Sequence, residues 1–203
     1  IDTTGSSGTA TLAESRILDA ADATDTNTVF NLKDTAANIL TATATELARG
    51  NGSTNSVVVD ETTAITAAQA TSLRSLDTAN AAFEIDGSTS GAAGVFKISD
   101  TAANLKSSAN SAAVGASTNV TVSDAISLSD ASTIAAASAS SATVAYNLTG
   151  TFASLLYTGG LAVSEVRSGG SSGSRTLTVG SITVTNDVSL TQADSLITWG
   201  ANA

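Results

Sequence analysis

The sequence predicts an α/β fold, a repetitive solenoid of short strand–helix units, and three observations carry that expectation. Two families of segments recur along the 203 residues. Each segment joins an apolar stretch of period two to an Ala-rich stretch with apolar positions three or four apart. Ala, Ser, Thr and Gly supply most of the remaining side chains. The alternative is an all-β parallel β-solenoid in which the Ala-rich stretch is only a turn, since Thr- and Ser-rich segments are poor helix formers.

The first family, element A, reads Phe30-Asn-Leu-Lys-Asp-Thr-Ala-Ala-Asn-Ile39 and then Phe96-Lys-Ile-Ser-Asp-Thr-Ala-Ala-Asn-Leu105. A third, decayed copy reads Tyr146-Asn-Leu-Thr-Gly-Thr-Phe-Ala-Ser-Leu155. In the second family, element B, Val120-Thr-Val-Ser-Asp-Ala-Ile-Ser-Leu-Ser-Asp-Ala-Ser-Thr-Ile134 aligns without gaps onto residues Ile182 to Leu196. Val57 to Leu73 fits the same pattern with one or two extra residues, and Leu12 to Leu18 is the tail of a fourth copy. From Ile65 to Leu128 is 63 residues and from Leu128 to Leu190 is 62. Self-similarity at a fixed period is the signature of a stacked array.

The whole chain, 1–203, is therefore expected to be one repeat array: a partial unit at 12–29 and units at about 30–81, 82–145 and 146–203. Two insertions interrupt it, near 83–95 and near 158–180. The first reads as a hairpin of Ala82 to Asp86 with Val95 to Ile98 across a Gly/Ser turn. Within each element a strand precedes a helix of two or three turns. Asp34 and Asp100 stand at the expected N-cap positions, and Thr66 with Gln69 has capping-box spacing. So short a unit cannot bury its own apolar face, whereas stacked copies share a continuous core.

Composition narrows the function. The chain has no Cys, His, Met or Pro, with 3% aromatic and 13% charged residues. There is thus no disulfide framework, thiolate site or Ser-His-Asp triad. Dispersed acids give a net charge of -10, which disfavours nucleic acid as a partner. No apolar run approaches the roughly 20 residues of a membrane-spanning helix. The expectation is a non-enzymatic protein with no cofactor, whose partners are copies of itself or adjacent repeats of a longer chain. The sequence opens inside a B element and stops where the next A strand is due, without polar end caps. On that reading, neighbouring units cover its ends.

The Asp-Thr-Ala-Ala-Asn-Ile/Leu element alternating with Val-x-Val-x-Asp-x-x-x-Leu-Ser/Thr-x-Ala resembles the repeat regions of large secreted bacterial proteins described as adhesin-like or S-layer-like. The resemblance spans residues 12–198. It implies export, an extracellular or cell-surface setting and often calcium, and it brings no catalytic residues. The Gly-Gly-x-Gly-x-Asp calcium nonapeptide is missing.

Asp34, Asp60, Glu61, Asp100 and Asp124 recur at strand ends, and the four aspartates among them are the candidate ligands for calcium, an ion that takes six to eight oxygens. Capping and turn formation account for the same residues with one carboxylate per site. Gly150 and Asn186 replace the acid in later copies. Asn38 and Asn104 either stack as a side-chain ladder or serve locally. Thr176, Thr178, Thr183 and Thr185 alternate like a flat ligand-facing row, or like the exposed face of any strand. Trp199, the only Trp, either plugs an array end or packs in the core.

Overall fold

The computed structural model describes residues 9–21, 31–49, 57–79, 83–87, 94–156, 170–172 and 175–194. Strands alternate with helices, so the fold is mixed α/β. The chain divides into two units, Ile1–Lys97 and Ile98–Ala203.

In the first unit β1 (Thr9–Ala10), β2 (Asn31–Asp34), β3 (Val57–Val59) and β4 (Ile85–Gly87) form one sheet in sequence order, every neighbouring pair parallel. Parallel neighbours cannot be joined by a tight turn. Helices α1 (Leu12–Ala21), α2 (Ala36–Ile39), α3 (Ala44–Ala48) and α4 (Ala67–Ala79) occupy the crossovers. Alternation sets the inward face: Leu32 and Asp34 are buried while Asn31 and Lys33 stay partly exposed. In register, Ala10, Leu32, Val57 and Ile85 make one buried row across all four strands. Fully burying each Leu, Val or Ile contributes roughly 1.5–3 kcal/mol. Ile39, Leu47, Ala67, Ala70 and Leu73 close the core from the helices. Ala67, Ala70 and Leu73 are three residues apart, one stripe of α4.

The second unit contains β5 (Lys97–Asp100), which opens at the boundary, then α5 (Ala102–Leu105), a 3-10 turn (Ser108–Asn110) and α6 (Ser111–Ala116). These lead to β6 (Asn119–Ile126), α7 (Leu128–Ala137), β7 (Thr143–Gly150) and a 3-10 turn (Ser154–Leu156), followed by β8 (Gly170–Ser172) and β9 (Arg175–Val184). Residues 190–194 are helical. The sheet order is β5-β6-β7-β9-β8, with β8 antiparallel to β9 and the other four strands parallel. Val120, Val144 and Leu177 share one row, and Ile126, Leu148 and Ile182 another. Register slips between the rows, at residues 121–125 of β6 and opposite 146–148 of β7. At the second slip β9 carries Gly180, where a Cβ would lie 2.6 Å from Asn147 Oδ1, too close for any other residue without a shift.

Three expectations are corrected. The segment at 83–95 is not one arm of a hairpin: β4 pairs parallel with β3, Val57 opposite Ile85, and β5 belongs to the other sheet. The helix of element A is a single turn of four residues, α2 or α5, rather than two or three turns, and so depends on packing and caps rather than on its own cooperativity. Its N-caps are Thr35 and Thr101, one residue after the acids, each accepting from the N–H three residues on, Asn38 and Asn104.

Candidate functional site

The recurring feature is the junction where a strand ends and a helix starts. Every B copy begins its helix on a hydroxyl: Thr11, Thr66, Ser127 and Ser189 accept from the backbone N–H of Glu14, Gln69, Asp130 and Gln192 at 3.1–3.3 Å. The longer side chains answer, Glu14, Gln69 and Gln192 accepting from the cap's own N–H at 2.8–3.0 Å. Asp130 is one methylene shorter and accepts from the Ser127 hydroxyl instead, at 3.0 Å. Only the Thr66–Gln69 pair stood out in the sequence. The other three were legible as the same spacing, and they fix Thr66, Ser127 and Ser189 as equivalent positions, 61 and 62 residues apart.

A second set of acceptors reaches back along the chain. Asp34 Oδ2 accepts from the N–H of Leu12, the first residue of α1, at 3.0 Å. Asp124 Oδ1 accepts from Ala102, the first residue of α5, at 2.8 Å. Asn186 Oδ1 accepts from Phe152, the equivalent residue of the decayed A copy, at 2.8 Å. Asp34 and Asp124 each tie a strand to the first residue of an earlier helix, satisfying an N–H that has no partner within that helix, and Asn186, just after β9, does the same for the turn that precedes Ser154–Leu156. Sequence reasoning missed this, because a 22-residue separation becomes contact only through the sheet register.

Asp34 also works locally. Its Oδ1 accepts from the Thr35 N–H and from the Asn38 side-chain amide, both at 2.7 Å. Asp100 repeats the arrangement with Thr101 at 2.8 Å and Asn104 at 2.7 Å. Asn38 and Asn104 thus each close a loop onto the acid four residues before them. The Asn104 carbonyl in turn accepts from the Asn110 amide at 3.0 Å. Asp60 accepts from Thr62 at 3.2 Å and faces Lys33 at 3.6 Å. Among the described residues no three acidic side chains converge on one point. Trp199 and most of the segment at 158–174 lie outside the described residues.

Ion pairs join successive segments: Arg16 Nε to Glu46 Oε1 at 2.7 Å, Arg49 to Asp19, and Lys106 to Asp130. Arg16 first, then the Thr43 N–H, holds the Glu46 carboxyl down at about 2. Burial first, then the charges of Glu84 and Asp77, pushes the Asp86 carboxyl up. Arg175 donates to the carbonyls of Ser138 and Ala139 at 2.9 and 3.1 Å, satisfying acceptors at the end of α7. These groups bind backbone and one another.

Thr176, Thr178 and Thr183 of β9 and Thr185, just after it, are all exposed. Thr176 lies opposite Thr143 and Thr183 opposite Thr149. The last B copy differs in another way. The residue after each B cap is buried in three copies, Leu12 at 2%, Ala67 at 0% and Leu128 at 2%, yet in the fourth Leu190 is 87% exposed.

No protein-family model, curated protein or solved structure matches the chain.

Proposed function

We propose that this chain is an extracellular structural repeat protein, a solenoid of strand–helix coils that self-assembles into a surface layer, sheath or filament. The observation that carries the reading is the back-reaching acceptor, Asp34 to Leu12, Asp124 to Ala102 and Asn186 to Phe152, with one segment satisfying a backbone N–H of an earlier one. A unit finished by its neighbour is a unit made for stacking. The neutral Asn186 serves where Asp124 does, so an oxygen acceptor suffices, and the reading needs neither cofactor nor catalytic group. Small side chains allow close approach between stacked coils. Sedimentation and electron microscopy over a concentration series, with salt and calcium varied, test it. Ordered assemblies support it, and monomers under every condition overturn it.

A second reading, an adhesin stalk with recognition loops, draws on the β8–β9 hairpin, which departs from the repeat. Deleting residues 158–174 separates the two: a stalk keeps its fold and loses surface binding, whereas a purely structural array loses neither.

A further inference from the structure

We draw no further inference here: the strongest candidate, the outward face of the second unit's sheet where Asn119, Thr143 and Thr176 share one row and Thr149 and Thr183 another, is a stripe of small polar side chains, and nothing in the structure shows what covers it.

Discussion

Asp124 Oδ1 accepts a hydrogen bond from the backbone N–H of Ala102 at 2.8 Å, 22 residues earlier in the chain. That bond completes the first turn of a helix only four residues long. A helix so short has no cooperative reserve, so its N–H groups depend on acceptors supplied from elsewhere. Replacing Asp124 with Ala should destabilise the second unit by about 1–2 kcal/mol. Asp124→Asn should cost a few tenths at most, because Asn186 fills the equivalent role at Phe152. Urea unfolding of both variants measures the difference. An Asn variant as weak as the Ala one would show that charge, not the acceptor, matters.

Asp34 carries a larger share. It accepts from Leu12, Thr35 and Asn38 together and is only 8% exposed. Asp34→Ala leaves two backbone N–H groups and one amide without their acceptor, at a cost of about 2–4 kcal/mol. Asn38→Ala removes a single partner and should cost about 1 kcal/mol. A double variant should then show less than the sum, since the two residues share one hydrogen bond. Full additivity in denaturant unfolding would argue against that coupling.

How much of this was legible follows from the distance over which each signal acts. Period-two stretches such as Val120/Val122 gave the strands, and the repeated Asp-Thr-Ala-Ala-Asn gave the short helices, because both depend on residues within one element. The cap moved from Asp34 to Thr35 because the two differ by one position and both side chains accept; only the backbone angles of Thr35 decide between them. The pairing of β4 with β3 was out of reach: Phe83 to Asp86 has the pattern of a strand but nothing that names its partner or its direction. The back-reaching caps lay further still, since Leu12 and Asp34 meet only once β1 and β2 are in register.

Burial separates two leucines that the repeat alone treats as similar core positions. Leu73 is fully buried on α4 and Leu190 is 87% exposed. Leu73→Ala should destabilise the first unit by about 2–5 kcal/mol through lost transfer energy and the cavity left behind. Leu190→Ala, in dilute monomer, should stay within about 0.5 kcal/mol of wild type. Thermal unfolding at low protein concentration checks the contrast, and equal losses would place Leu190 in a core.

Stability of the first unit should fall in acid with a contribution traceable to one carboxylate. Arg16 and the Thr43 N–H hold Glu46 at about 2, against an ordinary value of 4.5. A folded-state value below the unfolded one means that stabilisation is fully present above 4.5 and is lost as pH falls from there towards about 2. The pair reaches solvent and is screened, so its share is about 1 kcal/mol, less than unattenuated linkage gives. Glu46→Gln cannot titrate and should unfold with a shallower pH dependence across that window. Added salt should narrow the gap by weakening the Arg16 attraction in wild type. The depressed carboxyls of Glu14 and Asp130 act in the same direction and the raised one of Asp86 against it. All three are common to both proteins, so the difference between the two curves isolates Glu46. Superimposable curves would mean that the Arg16–Glu46 contact adds nothing to the fold.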